Sequence, residues 1–326
     1  MIFEFTTAPG FDFITLFAKQ LNVPVRDNVL EIPKHLGEGY VRKVGFGDDF
    51  KLTMHRYILK EDLIVKRNPA LTPNNIRTIF FYNNGEDLEV KFKGGNKPSS
   101  PKKDSSILLS TNDLRTEIRF PAGNIIQYVV VGITANRLRS VLSIERPNST
   151  IQTITAENVS FLFFESLDPE MQLLLKNVVS VDMNNSLNNF YVQIKVLELM
   201  YLVFSKLSLR ENTAIKSINS SDAEKLLAIR NVVLNDLSTP PVLHELAIIA
   251  LMSETKLKQL FKQTFGDTIY NYYQKARMQE AAFLLKQAKH SVAKVGYQLG
   301  FTNLSHFSRL FAKQYGITPK KFSQTL

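Results

Sequence analysis

Polar and apolar residues alternate with a period of two through much of the first half of the chain. Phe50, Leu52 and Met54 are interleaved with Lys51, Thr53 and His55, and Leu114, Thr116, Ile118 and Phe120 with Arg115, Glu117 and Arg119. That period predicts strands with one buried face. Further apolar runs at 78–82 and 128–133, with turn signals at Asn83-Asn84-Gly85 and Pro121-Ala122-Gly123, suit an antiparallel sandwich or barrel. The stretch 93–106 carries Gly and Pro but no apolar residue and reads as a mobile loop. Residues 1–165 are expected to form one β-rich domain, the candidate for binding a small molecule.

The period lengthens after Asp168-Pro169-Glu170, a helix start with Pro in its first turn. Between Leu187 and Leu207, Val192, Val196, Leu199, Val203 and Leu207 form one stripe, and Ile194, Leu197, Met200 and Tyr201 widen it. Such a helix is either a core element against the sheet or a dimer seam, and residues 166–210 are read as a helical dimerisation segment. Residues 211–220 turn polar and serve as a linker. Ser221-Asp222-Ala223-Glu224 then has the spacing of a capping box, which opens a second domain over 221–326.

That second domain repeats itself. At an offset of 50, Leu257 falls on Phe307, Leu260 on Leu310, Phe261 on Phe311, Phe265 on Tyr315, Gly266 on Gly316 and Thr268 on Thr318; upstream, Leu246-Ala247 pairs with Val295-Gly296 at 49. Each copy reads as a short helix containing a small residue, a tight turn, and a second helix whose first turn is polar and whose later residues are apolar at helical spacing. This is the layout of a helix-turn-helix: the small residue allows a close crossing, and Leu257/Phe261 or Phe307/Phe311 hold the second helix down. The second helices are predicted at 253–265, capped by Ser253, and 303–315, capped by Thr302 or Asn303, each closed by Gly. Between the copies, Ile269 to about Gln287 lacks Gly and Pro and would form a helix roughly 28 Å long.

Charge sharpens this picture. The net charge is +10, yet residues 226–326 hold 13 Lys and Arg against 5 Asp and Glu, while the remaining 225 residues hold 27 against 25. A basic surplus confined to one segment favours a polyanionic partner, most often nucleic acid. The 326 residues suffice for two domains. With no Cys, disulfides, thiolate metal sites and cysteine nucleophiles are excluded. No Gly-x-Ser-x-Gly, His-Glu-x-x-His or phosphate-loop pattern occurs, so no catalytic residue is assigned and the protein is read as a non-enzyme. His35 and His55 lack a second ligand at metal spacing, and no metal or cofactor is expected. The aromatic residues Phe46, Tyr57, Phe80, Phe81, Tyr82 and Tyr128 fit either a pocket or plain core. No signal peptide or membrane-spanning run is recognisable, and a cytoplasmic, soluble protein is expected.

Residues 224–322 resemble the C-terminal DNA-binding domain of AraC/XylS-type transcription regulators. The resemblance is carried by Met252-Ser253 with Leu257, Leu260-Phe261-Lys262 and Gly266, by Arg277 with Ala281 and Leu284-Leu285, by Gly300-Phe301 with Phe307-Ser308-Arg309-Leu310-Phe311, and by Gly316-Ile317-Thr318-Pro319 with Phe322. The chain departs from the pattern at Leu251, where the first turn often has Gly, at Gly296, where Ala is usual, and at Phe322-Ser323, where an aromatic-Arg pair often closes the domain. The resemblance implies an α+β chain with two parts. The first is an N-terminal antiparallel β-sandwich or barrel, cupin-like, with flanking helices. The second is an all-α domain of two helix-turn-helix units joined by a long helix.

It further implies a sequence-specific regulator of transcription, by family habit an effector-responsive activator, acting as a homodimer on double-stranded DNA and with RNA polymerase as a further partner. Carried over residue by residue, the base-contact candidates are Thr255, Lys256, Lys258 and Gln259 in the first copy and Leu304, Ser305, His306, Ser308 and Arg309 in the second. Their chemistry suits base edges: Arg and Lys donate to guanine, Gln pairs with adenine, and Leu packs on a thymine methyl. Lys262, Asn303, Lys313, Lys320 and Lys321 are assigned to phosphates, and Arg277 to a phosphate or a structural ion pair. Two other readings compete. An enzyme fused to this DNA-binding domain, as in DNA-repair methyltransferases, needs a reactive Cys that the chain lacks. A small-molecule-binding β-barrel protein whose basic helical domain docks another protein would show no salt-sensitive DNA affinity.

Overall fold

The computed structural model describes residues 1–7, 11–69, 75–82, 106–181, 185, 187–211, 214–287 and 290–324. The turn expected at 83–85 and the loop expected at 93–105 lie outside the described residues. The chain divides into two compact units, Met1–Glu224 and Lys225–Leu326.

The first unit opens with β1 (Ile2–Thr6), α1 (Phe13–Leu21), β2 (Val29–Glu31), β3 (Gly37–Gly45) and β4 (Phe50–Leu59). It continues through β5 (Leu63–Asn68), β6 (Ile76–Tyr82), β7 (Ser106–Thr111), β8 (Thr116–Phe120) and β9 (Ile125–Thr134). Then follow α2 (Ala135–Leu142), α3 (Ser149–Thr155), β10 (Leu162–Ser166), α4 (Pro169–Val179) and α5 (Asn188–Ser208). The strands form a seven-stranded antiparallel sheet, in the order β10-β7-β6-β9-β4-β3-β2, and a three-stranded sheet, β1-β5-β8. The expected sandwich with flanking helices is present, with two corrections. The small sheet is not wholly antiparallel, because β1 pairs with β5 in parallel. Such a pair needs a long crossover, here supplied by α1 and β2–β4, and hairpin signals do not report it. In addition, α1, α2 and α3 interrupt the region read as β; their short apolar stripes fall below the length at which helical periodicity stands out.

The large sheet buries both faces. Along β4, Phe50, Leu52 and Met54 enter a core shared with α3, α4 and α5, whereas Tyr57 and Leu59, on the opposite parity, enter a core shared with α1 and the small sheet. In β9 the same division separates Val129, Val131 and Ile133 from Ile126 and Tyr128. Arg77, 1% exposed on β6, donates from Nε to the Ile154 carbonyl at 2.8 Å and from Nη2 to the Ala156 carbonyl, satisfying the end of α3. On α5 the whole stripe Val192, Val196, Leu199, Val203 and Leu207 is buried, together with Met200. The opposite side leaves Phe190 61%, Ile194 46%, Leu197 40% and Tyr201 69% exposed. The helix therefore has a core face and a second, uncovered apolar face.

α6 (Ser220–Asn235) begins one residue before the predicted capping box, because Asn219 is the cap: its Oδ1 accepts from the Asp222 amide at 2.7 Å. Asn caps as well as Ser, so the Ser221–Glu224 spacing is not the signal that starts this helix. The second unit then contains α7 (Leu243–Ala250), α8 (Glu254–Phe265), α9 (Ile269–Lys286), α10 (Val292–Gln298), α11 (Leu304–Tyr315) and α12 (Pro319–Gln324). Among the described residues no helix is long and apolar enough to cross a membrane.

His55 is 1% exposed, with its ring stacked on Tyr128 at 4.0 Å and Nε2 3.0 Å from Thr53 Oγ1. Burial pushes its pKa from 6.5 down to about 3. Between those values the unfolded chain holds a proton that the folded one refuses. The stability from the neutral ring is therefore complete above about pH 6.5 and is lost as pH falls towards 3. We expect the denaturant midpoint of the full chain to drop across that window, and His55→Phe to flatten the drop; an unchanged slope would assign the proton uptake to other groups.

Candidate nucleic-acid interface

Each half of the second unit builds the same corner. In the first, α7 ends with Leu251 in the left-handed region, φ 50° and ψ 47°, and the Met252 amide donates to the Ala247 carbonyl at 3.1 Å. In the second, α10 ends at Gly300, φ 76°, and the Phe301 amide donates to the Gly296 carbonyl at 3.0 Å. The offset of 49 seen in the sequence thus superposes two identical turns. Leu251 occupies a conformation that favours Gly because its side chain is 80% exposed and meets nothing that forbids it. Gly300 has no such latitude: a Cβ there would stand 1.8 Å from the Ser238 carbonyl oxygen.

The helices after the turns start and stop by the same devices. Ser253 accepts from the Lys256 amide at 3.3 Å and Asn303 from the His306 amide at 3.1 Å, which selects Asn303 over Thr302 as the second cap. Gly266 and Gly316, both at φ 75°, close α8 and α11. Leu257 and Phe261 in α8, and Phe307 and Phe311 in α11, are fully buried, so each helix is held by its apolar side and presents the other. At the helix crossings the copies differ in a compensated way. A Cβ on Gly296 would come within 2.6 Å of Leu304 Cδ2. The first copy carries the bulk the other way round, with Ala247 at the crossing and Glu254 in place of the Leu.

α9 is the connector, 18 residues and about 27 Å at the standard rise. Arg277 on it is 4% exposed and makes neither of the contacts expected of it. Its guanidinium carbon lies 3.7 Å above the Phe301 ring centroid, and Nη2 donates to the Leu299 carbonyl at 2.5 Å. A buried position inside the second corner keeps it from the surface, and the partners it finds are the ring faces of Phe301 and Tyr273, the Gln274 side-chain oxygen and the Leu299 carbonyl rather than a carboxylate. Burial lowers its pKa. One helical turn earlier, Tyr273 donates its hydroxyl to the Leu237 carbonyl at 3.1 Å.

Residues 39–218, more than half of the chain, match the family described as the regulatory protein PchR N-terminal domain, and residues 246–325 match the family described as a helix-turn-helix domain. The chain belongs to the AraC/XylS family of transcriptional regulators. It is similar to an HTH-type transcriptional regulator of Haemophilus influenzae, 31% identical over 84 residues, which are 26% of this chain and 28% of that one. It is also similar to the HTH-type transcriptional activator RhaR of Yersinia pseudotuberculosis, 34% identical over 71 residues, or 22% of this chain and 24% of RhaR. The similarity thus spans about a quarter of the length of either relative. Among solved structures, ToxT of Vibrio cholerae is 18% identical with a TM-score of 0.31, covering 85% of this chain and 99% of ToxT. Residues 246–325 are thus the helix-turn-helix domain of this regulator.

In this regulator, Thr255, Lys256 and Lys258 on α8 and Ser305, His306 and Arg309 on α11 are exposed, and Gln259 and Ser308 are partly so. Leu304 is half-buried because its side chain leans on Gly296. Lys313, Lys320 and Lys321 are exposed, Lys262 is partly buried, and Asn303 spends its side-chain oxygen on the cap. The sequence reading missed a second feature, a cavity of about 240 Å³ between the two sheets of the first unit. Phe80 and Tyr128 line it as one of the two readings of the aromatic residues allowed; Phe5, Phe11, Phe13 and Phe120, which were not singled out, line it too. Tyr57, Phe81 and Tyr82 are core, and Phe46 stacks on Phe50 at 4.1 Å.

Two glycines at nearly the same positive φ, Gly300 in the corner and Gly316 at the end of α11, make a matched test of the corner. Gly316→Ala, with nothing within 4 Å of the new Cβ, is expected to cost only the left-handed penalty, about 1 kcal/mol. Gly300→Ala adds the clash with Ser238 and is expected to cost roughly 3 kcal/mol. Equal losses in denaturant titration would show that the Ser238 contact relaxes freely.

Proposed function

We propose that this regulator is an effector-responsive, homodimeric activator that places α8 and α11 of each chain in consecutive major grooves. The reading is carried by one observation: two copies of the same corner, each presenting a polar helix edge, are fixed to one continuous connector. Major grooves on one side of B-DNA recur at ~34 Å, a spacing that a helix of about 27 Å with its two corners can bridge. One chain then reads an extended, non-palindromic site. Thr255, Lys256, Lys258, Gln259, Leu304, Ser305, His306, Ser308 and Arg309 are the base readers, while Lys262, Asn303, Lys313, Lys320 and Lys321 hold phosphates. The uncovered apolar face of α5 pairs two chains. The inter-sheet cavity takes the effector, and activation proceeds through contact with RNA polymerase at the bound site.

Footprinting upstream of neighbouring genes is expected to show protection across two adjacent major grooves for each chain. Arg309→Ala is expected to cost roughly 1 to 3 kcal/mol against a site with its preferred base, and little against a site lacking it. Lys313→Ala is expected to weaken all sites alike and to reduce the salt slope by about 1. Uniform losses in both variants would move Arg309 from reader to anchor, and absence of any salt-sensitive binding would favour the protein-docking alternative.

For the dimer, Ile194→Asp combined with Tyr201→Asp is expected to yield monomers in light scattering at micromolar concentration, with the helical content of the chain preserved. Dimers that survive both charges would remove α5 from the interface.

A further inference from the structure

The cavity between the sheets is apolar over most of its wall, with Phe5, Phe13, Phe80, Phe120 and Val130 facing it, yet it also contains the guanidinium of Arg67. Arg67 is 6% exposed and reaches from β5 across to the large sheet. Nη1 donates to Thr78 Oγ1 at 3.0 Å; Nη2 is shared between Ser110 Oγ at 3.2 Å and the carbonyls of Thr111 and Leu114 at 3.3 and 3.2 Å. All four partners are neutral, most of the bonds are long, and Nε has no partner. Among the described residues no carboxylate forms an ion pair with it. Burial brings its pKa down to about 10, so the group remains charged at neutral pH. The Asp113 carboxylate acts on it only through space, without a hydrogen bond or close ion pair. A buried cation whose hydrogen bonds all go to weak neutral acceptors is costly to maintain, and an anion bound directly to it would relieve that cost.

The remaining charges around the cavity narrow the choice. Lys43 is already paired with Asp12 at 2.5 Å, and Lys51 donates to the Phe11 carbonyl at 3.0 Å. With Asp48 and Asp49 also on the wall, the other charged groups are three carboxylates against two ammonium groups. They offer no net attraction to a polyanion. The distribution calls for one negative charge, located at Arg67, on a body that the aromatic wall can enclose.

Resting on the reading of the cavity as the effector site, we propose that the effector is an apolar monocarboxylate whose carboxylate pairs with Arg67 and whose aromatic or aliphatic body fills the space among Phe5, Phe13, Phe80 and Phe120. The hydroxyls of Thr78 and Ser110, both on the cavity wall, flank the carboxylate and give up their present bonds to Arg67 as the ion pair forms.

The test uses the full chain with two probe pairs, octanoate and octanamide, and phenylbutyrate and phenylbutanamide, in thermal shift and calorimetric titration. At least one acid is expected to raise the melting temperature and to bind roughly tenfold or more tighter than its amide. Arg67→Gln is expected to remove that preference, and Val130→Phe, which fills the cavity, to remove binding altogether. Should Arg67→Gln not fold, the acid-amide contrast in the unmodified protein and its loss in Val130→Phe decide the matter. Equal binding of acid and amide, lost in Val130→Phe, keeps the effector cavity and overturns the carboxylate assignment. An acid preference that persists in Arg67→Gln, acid binding that persists in Val130→Phe, or no binding by any probe, also overturns it.

Discussion

The contact on which the DNA-binding unit depends is the one Arg277 makes at the second corner. Its guanidinium covers the face of Phe301 and donates to the Leu299 carbonyl, so the turn of the second helix-turn-helix is fixed to the middle of the connector. Tyr273, four residues earlier on the same helix, ties the segment after α6 to that connector through Leu237. Gly300 closes the arrangement by letting the turn approach the Ser238 carbonyl more closely than any side chain permits. These three contacts join parts of the chain that are 22 to 62 residues apart in sequence. They turn the corner from a local motif into part of a larger frame, in which the position of α11 is tied to α9 by packing and hydrogen bonds.

The repeat was legible because each of its signals is local. Ser253, Gly266, Asn303 and Gly316 act within a turn of their own helices, and the buried positions Leu257, Phe261, Phe307 and Phe311 follow from spacing alone. The stripe on α5 was readable for the same reason, as was the alternation in β4. Arg277 illustrates the limit. Its burial depends on Phe301, which the chain brings back only after α10, and nothing in the residues around position 277 announces a π-face. The parallel pairing of β1 with β5 and the inter-sheet cavity lay beyond reach on the same grounds. Phe5, Arg67 and Phe120 come from the three strands of the small sheet and Phe13 from α1, and they wall a cavity only where that sheet closes over Phe80 and Tyr128 of the large one.

The paired differences between the two corners show how a repeat tolerates divergence. At the left-handed turn, Leu251 survives because its side chain is in solvent, while its counterpart Gly300 is confined by a carbonyl. At the crossing, the methyl group missing from Gly296 is replaced by the branched end of Leu304 arriving from the next helix. Close-packed interiors require the volume to be filled but are indifferent to which chain segment supplies it. Each departure from the family pattern at these positions has a steric account in its own neighbourhood.

The seven-stranded sheet is a party wall. Neighbouring residues on β9, Tyr128 and Val129 or Val130 and Val131, look into different rooms, one towards the cavity and one towards the core of α4 and α5. A pleated strand is only one residue thick, and a dense core on the far side leaves no slack to absorb a push. A side chain enlarged in one room would therefore press on the other, through the thickness of a single backbone.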